Sequence, residues 1–109
     1  MSHADYIVIG AGSAGCAIAS RLSEDPDARV MLLEAGGSDA IDAIRAPQVW
    51  PTLWGTEVDY AYETTPQTGS HGYVHQWPRG KVLGGSGSLN GMVYIRANPL
   101  DWDAWAYQG

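Results

Sequence analysis

The sequence predicts an α/β fold that opens with a parallel βαβ unit. Three stretches carry that reading. Asp5-Tyr6-Ile7-Val8-Ile9-Gly10 is a short apolar, β-branched run stopped by glycine, the pattern of a strand buried on both faces. Directly after it Ala14, Ile18 and Leu22 recur at i, i+4 and i+8 with Ala17 beside them, which predicts a helix laying that stripe on a sheet, with Ser13 as its N-cap. Arg29-Val30-Met31-Leu32-Leu33-Glu34 is a second buried-type strand that ends on a carboxylate. Asp25-Pro26 separates helix and second strand, because the residue before proline leaves the α region.

The later elements are shorter. Ser38 to Ala46 predicts a short helix with Ile41 and Ile44 on one side, interrupted by Pro47. Trp50 and Trp54 follow at i, i+4, and Pro51 between them permits at most one helical turn. Tyr60 to Thr65 alternates and predicts a strand ending at Pro66, with Gly72 to Trp77 returning as its hairpin partner across turn residues 68–72. Pro99 predicts a helix start, with Asp101 and Asp103 near the positive end of the helix dipole. The chain divides into a βαβ unit at 1–37, an aromatic-rich connection at 38–76, and a glycine-rich segment with a helix start at 77–109. One βαβ unit supplies only two parallel strands, and the aromatic middle has no large sheet to pack on. These 109 residues therefore read as part of something larger.

Composition narrows the function classes. The chain is 45% hydrophobic and 17% charged, and contains no apolar run long enough to span a bilayer. A net charge of -6 with only six Lys and Arg argues against nucleic acid, whose recognition needs clustered cations. Cys16 is the sole cysteine, so no internal disulfide forms, and the short polar leader lacks a signal-peptide pattern; a cytoplasmic setting is the expectation. His3, His71 and His75 show no metal-ligand spacing. Cys16 reads as a small core residue. Trp50, Trp54 and Trp77 suit either a substrate entrance or aromatic packing.

Two glycine-rich stretches carry chemistry. Gly10-Ala11-Gly12-Ser13-Ala14-Gly15 is G-x-G-x-x-G between a predicted strand and helix. There Gly10 permits the tight turn, Gly12 lets a pyrophosphate approach the backbone, and Gly15 lets helix and strand pack closely. The helix N-terminus offers N–H groups and positive potential to phosphates. Glu34 ends the second strand nineteen residues after Gly15, where a carboxylate accepts hydrogen bonds from ribose hydroxyls and disfavours a 2′-phosphate. NAD and FAD both satisfy that pattern. The second stretch, Arg79 to Tyr94, has five glycines in sixteen residues. Its aliphatic Val82, Leu83, Leu89, Met92 and Val93 separate it from a solvated linker.

Gly80-Lys81-Val82-Leu83-Gly84-Gly85-Ser86-Gly87-Ser88-Leu89-Asn90, followed by Tyr94, Ala97 and Asp103, resembles the first signature of the glucose-methanol-choline (GMC) family of flavin oxidoreductases. Asp5 to Gly37 and Asp59 to Gln67 resemble other parts of the same family's N-terminal region, most of all in its choline dehydrogenase-like, bacterial alcohol dehydrogenase-like members. The resemblance implies a Rossmann-like FAD-binding domain with FAD-covering segments, incomplete without a second polypeptide. It implies that Gly10, Gly12, Ser13, Ala14 and Gly15 wrap the FAD pyrophosphate, with Glu34 on the adenosine ribose and Ala35 close by. Arg79 and Gly80 then border the cofactor, Gly84, Gly85 and Ser86 pass along its phosphate and ribityl portion, and Asn90, Gly91, Met92 and Val93 approach the isoalloxazine. Backbone N–H groups near that ring stabilise its anionic reduced form. Gly87, Ala97 and Tyr60 depart mildly from the family pattern, where Ser, Gly and Trp are usual. Trp77 and Leu89 stand where covalent members carry a histidine, which implies dissociable FAD. The implied reaction is hydride transfer from a small alcohol to flavin, with a histidine outside this chain taking the hydroxyl proton and no catalytic residue inside it. The alternative is a standalone nucleotide-binding or assembly module without catalysis.

Overall fold

The computed structural model describes residues 3–108; Met1, Ser2 and Gly109, the outer ends of the polar leader and of the last segment, lie outside the described residues. The βαβ unit forms where the apolar pattern places it, although its strands, expected to be buried on both faces, are largely exposed in this chain. Strand β1 (Tyr6–Ile9), helix α1 (Ser13–Leu22) and strand β2 (Val30–Leu33) follow one another, and β1 pairs with β2 in parallel, with Tyr6 opposite Val30 and Ile9 opposite Leu33. The Gly10 N–H donates to the Leu33 carbonyl at 2.7 Å and extends the ladder one residue into the turn. Asp5 ties the other end, its carboxylate accepting the Arg29 N–H at 2.9 Å.

Helix α1 differs from expectation in two respects. Gly12, not Ser13, is the N-cap, in extended conformation and without a side-chain cap, so Ser13 is the first helical residue. The face on the sheet is not that of Ala14, Ala17 and Ile18, which are exposed; it is that of Gly15, Ala19 and Leu22, of which Ala19 is buried. Both stripes satisfy the helical period, and the close fit at Gly15 chooses between them. A Cβ at Gly15 would overlap the Gly10 carbonyl, so only this face can sit so near the strand end. Cys16 accordingly lies exposed rather than in a core, its thiol donating to the Ala11 carbonyl at 3.2 Å.

The middle of the chain is more irregular than its pattern. Helix α2 is only Asp42–Arg45, because Ser38 Oγ takes the Ala40 N–H at 3.1 Å and holds the chain in a turn. Where Pro51 is expected to permit at most one helical turn, Pro47–Leu53 is instead a seven-residue 3-10 helix that contains it. Strands β3 (Tyr62–Glu63) and β4 (Gln76–Trp77) form the expected antiparallel hairpin, shorter than their alternation suggests. Ala61, with φ of 48°, breaks β3 at its start, while Gln67 re-pairs with Tyr73 beyond Pro66. Helix α3 (Pro99–Gln108) starts at the expected proline, with the Leu100 N–H donating to Asn98 Oδ1 at 3.0 Å. It is exposed along its described length.

One segment joins these parts. Residues 80–84 run with alternate positions bridged to three different places: Gly80 to Asp59, Val82 to Gly37, and Gly84 to Gly12. Val82 is fully buried and packs with Leu53, Val58 and Leu89, against which Ile41, Ala43 and Ile44 lie half-buried. This small cluster fastens the connecting region to the βαβ unit.

Gly15→Ala is expected to destabilise the chain by about 1–3 kcal/mol, the usual cost of forcing extra volume into a packed site. The measurement is the shift in thermal midpoint, with Ala14→Ser on the exposed side of α1 as the control that leaves the midpoint unmoved.

Candidate functional site

The β1–α1 turn is built from backbone. Gly10 takes φ of 93°, Gly12 opens the helix, and a side chain built on either would meet no atom within 4 Å. The space beside the turn is thus open, and no side chain caps the first amides of α1. Such a cradle fits an anion held by main-chain donors.

Glu34 lies against this turn and acts on it directly. Its Oε2 accepts the Ala11 N–H at 2.7 Å and its Oε1 accepts the Gly36 N–H at 2.9 Å, so one carboxylate ties the glycine turn to the turn after β2. The sequence pattern finds Glu34 but not this clamp. The N–H groups of Ala11 and Gly36 hold its pKa below the usual carboxylate value, against an opposing push from burial and with help from the Ala35 N–H. Each oxygen retains a second lone pair, so a ribose hydroxyl can still donate to it. Past Ala35 the chain borders a cavity of about 520 Å³ whose walls include Gly37, Ile41 and Lys81. Here Gly36 is required, since a Cβ would overlap the Lys81 carbonyl.

The second glycine-rich stretch crosses the first. The Gly84 N–H donates to the Ala11 carbonyl at 2.8 Å, and a Cβ on Gly85 would approach Gly12 Cα to 2.9 Å. Gly87 passes near Ser13, whose Oγ would lie 3.5 Å from a Cβ there. Ser86 reaches back, its Oγ accepting the Gly80 N–H at 3.1 Å. Arg79, Ser86, Asn90 and Gly91 meet in a cleft of about 280 Å³, closed by Trp54 and Leu89. The Arg79 guanidinium stacks 5.1 Å from the Trp77 ring centroid. Trp50 packs edge-on to Trp54 at 4.9 Å, and its ring lies 3.2 Å from where a Gly91 Cβ would sit. Trp54 therefore lines this cleft while Trp50 supports it. Met92 and Val93 lie exposed beside these residues rather than in the cleft wall; Met92 has φ of 53° and its N–H donates to Asn90 Oδ1 at 2.7 Å.

Asp59 is the polar residue that the sequence reading missed. It is 7% exposed, and its oxygens accept the N–H groups of Gly55 (2.9 Å), Ala61 (3.0 Å) and Arg79 (2.8 Å). Burial pushes its pKa up, but the Gly55, Ala61 and Arg79 N–H groups together outweigh that and leave it below the usual value. Among the described residues no group of three His, Cys, Asp or Glu could hold a metal, and no helix is long and apolar enough to cross a membrane.

The family model of GMC oxidoreductases matches residues 4–109. The chain belongs to the GMC oxidoreductases. It is 49% identical over 106 residues to pyridoxine 4-oxidase of Microbacterium luteolum, covering 97% of this chain and 21% of that protein. To the oxygen-dependent choline dehydrogenase of Vibrio vulnificus it is 49% identical over 108 residues, covering 98% of this chain and 19% of the relative. The crystal structure of pyridoxine 4-oxidase from Mesorbium loti superposes with a TM-score of 0.80 at 45% identity, over 96% of this chain and 21% of that one. A formate oxidase structure gives 0.76 at 33% identity, over 95% and 19%. The chain thus spans about a fifth of the length of the relatives it matches. This GMC chain matches the N-terminal part of the family, and FAD is named for relatives such as the glucose dehydrogenase (FAD, quinone) of Drosophila melanogaster and an FAD-dependent oxidoreductase from Chaetomium thermophilum.

Because Glu34 and Asp59 both have folded-state pKa values below those of an unfolded chain, their stabilisation is complete above about pH 5, clear of the unfolded values, and is lost as pH falls through the folded values. The thermal midpoint of the GMC chain is therefore expected to stay level from neutral pH to about pH 5 and to drop below about pH 4. Glu34→Gln replaces one acceptor oxygen by a donor, costs about 1 kcal/mol at neutral pH, and makes the acid drop shallower; denaturant titrations across pH read both effects.

Proposed function

We propose that this chain binds FAD non-covalently and is the cofactor-holding part of an enzyme that oxidises a small alcohol by hydride transfer to flavin. The observation that carries the reading is the crossing of Gly84 and Gly85 over Ala11 and Gly12, with Glu34 clamped to the same turn. Two glycine-rich segments about seventy residues apart in sequence thereby form one continuous backbone surface. It starts at the α1 N-terminus and runs through Ser86 to the cleft of Arg79, Asn90 and Gly91.

Each residue has a defined part in that reading. Gly10, Gly12, Ser13, Ala14 and Gly15 receive the pyrophosphate on main-chain donors, and Glu34 and Ala35 receive the adenosine ribose. Arg79, Gly80, Gly84, Gly85 and Ser86 follow the phosphate and ribityl portion, and Asn90, Gly91, Met92 and Val93 stand at the ring end. FAD supplies the two-electron acceptor when bound. The chain's own contribution is to bind, orient and exclude water; the histidine that removes the alcohol proton belongs to the rest of the fold, outside these 109 residues. The unpartnered apolar side chains of the βαβ unit support that division. Ile7, Ile9 and Ile18 are 59%, 85% and 52% exposed, surface that further layers of a Rossmann-like domain cover. The solitary Cys16 supports a cytoplasmic location.

The test is an absorbance and mass measurement on the purified chain with whatever accompanies it, followed by titration with FAD, FMN and NADP. Uptake of FAD with a larger co-purifying polypeptide is expected. FMN binds more weakly because it lacks the adenosine that Glu34 addresses, and NADP is disfavoured by charge repulsion at the same residue. A folded, colourless chain that takes up no added FAD would sink the proposal. Glu34→Ala is expected to weaken FAD binding by about 1–3 kcal/mol, the scale of lost hydrogen bonds to a charged group.

A further inference from the structure

We propose that Asp59 is a positioning residue for the cofactor-facing segment: by holding the backbone of Arg79 it sets the path of Gly80 against Gly85 and Ser86. The assignment of residues 79–91 to the cofactor rests on the proposed function; the positioning itself rests on geometry.

Asp59 joins two regions of the chain. Its Oδ2 takes the Gly55 N–H, while Oδ1 takes the N–H groups of Ala61 and of Arg79, twenty residues on. Among the described residues no Lys or Arg forms an ion pair with it, so backbone donors alone compensate its buried charge. A carboxylate satisfied in this way is directional, because moving any donor leaves charge uncompensated in a low-dielectric site. The chain around it is correspondingly fixed. Tyr60 N–H donates to the Arg79 carbonyl at 2.8 Å, Lys81 N–H donates to the Val58 carbonyl at 2.7 Å, and Asp59 is bridged to Gly80.

Gly80 is the position where that fixing matters. A Cβ there would overlap the Gly85 carbonyl group, and its own N–H donates to Ser86 Oγ at 3.1 Å. Gly85 in turn rests on Gly12. A chain of backbone contacts therefore leads from Asp59 through Arg79, Gly80 and Gly85 to the β1–α1 turn. Asp59 itself lies in the walls of neither the Arg79 cleft nor the cavity beyond Ala35, so it acts through other residues.

Amide hydrogen exchange followed by NMR on the full chain tests this, with FAD titration alongside. In Asp59→Ala the amides of Arg79, Gly80 and Lys81 are expected to exchange faster by on the order of tenfold or more, while Gly10, bonded to Leu33 in the βαβ ladder, keeps its rate. Asp59→Asn retains one acceptor oxygen, which can serve Ala61 and Arg79, and turns a donor toward Gly55. It is expected to speed exchange at Gly55 and to restore Arg79, Gly80 and Lys81 to near the unmodified rates. FAD affinity follows the same order, about tenfold weaker in Asp59→Ala and within about twofold in Asp59→Asn. Unchanged rates at Gly80 and Lys81 in Asp59→Ala overturn the inference. Equal acceleration at Gly10 also overturns it, since that is general destabilisation. An unmodified chain that binds no FAD sinks the proposed function, and the exchange pattern still decides the role of Asp59.

Discussion

Close passage of main chain against main chain is the constraint on which the structure depends. Its buried apolar cluster is small, with Val82, among the described residues, as the one large side chain wholly removed from water. The parts are instead held where backbone meets backbone: Gly15 under the Gly10 carbonyl, Gly36 under Lys81, Gly80 against Gly85, and Gly85 against Gly12. At these crossings a methyl group would displace a peptide unit, so the sequence is restricted more tightly there than in its apolar cluster. The surface that receives a dinucleotide in the proposed function is made of the same crossings. In that proposed function, stability and ligand recognition draw on one set of residues.

The two carboxylates complement that arrangement. Glu34 and Asp59 each gather backbone N–H groups from separate stretches, Glu34 from Ala11 and Gly36, Asp59 from Gly55, Ala61 and Arg79. Neither is in an ion pair among the described residues. The charge of each is matched by peptide dipoles fixed in direction, which specify the local path of the backbone more closely than a flexible ammonium could.

Legibility in the sequence followed the physics of each element. The βαβ unit was plain because strand, turn and helix each carry a local signal, and Gly10, Gly12, Gly15 and Glu34 fall at spacings that the turn imposes. The buried face of α1 was not, since two stripes fit one period and a contact at Gly15 with the preceding turn selects between them. The hairpin was placed correctly but drawn too long, because alternation at Tyr60 to Thr65 does not reveal that Asp59 captures the Ala61 N–H and turns the strand start. Asp59 itself left only a faint trace, an Asx-type bond to a residue two positions on. Its longer reach to Arg79 is tertiary. Cys16 misled because a small apolar-like residue in a helix is usually covered, whereas here its side of α1 faces outward.

The stitching of residues 80–84 bears on the order in which the molecule is put together. Gly84 meets Gly12 and Val82 meets Gly37 across 72 and 45 residues, whereas Tyr6 and Val30 of the β1–β2 ladder are 24 apart and Gly80 and Asp59 are 21 apart. Loop-closure entropy must be overcome before such distant contacts repay it, so local elements form ahead of them. The βαβ unit can therefore exist while the glycine crossing is still open. Loop-closure entropy alone therefore ranks the Gly12–Gly84 crossing as the costliest of these contacts to close, and a molecule that bridges both glycine stretches would favour that closure.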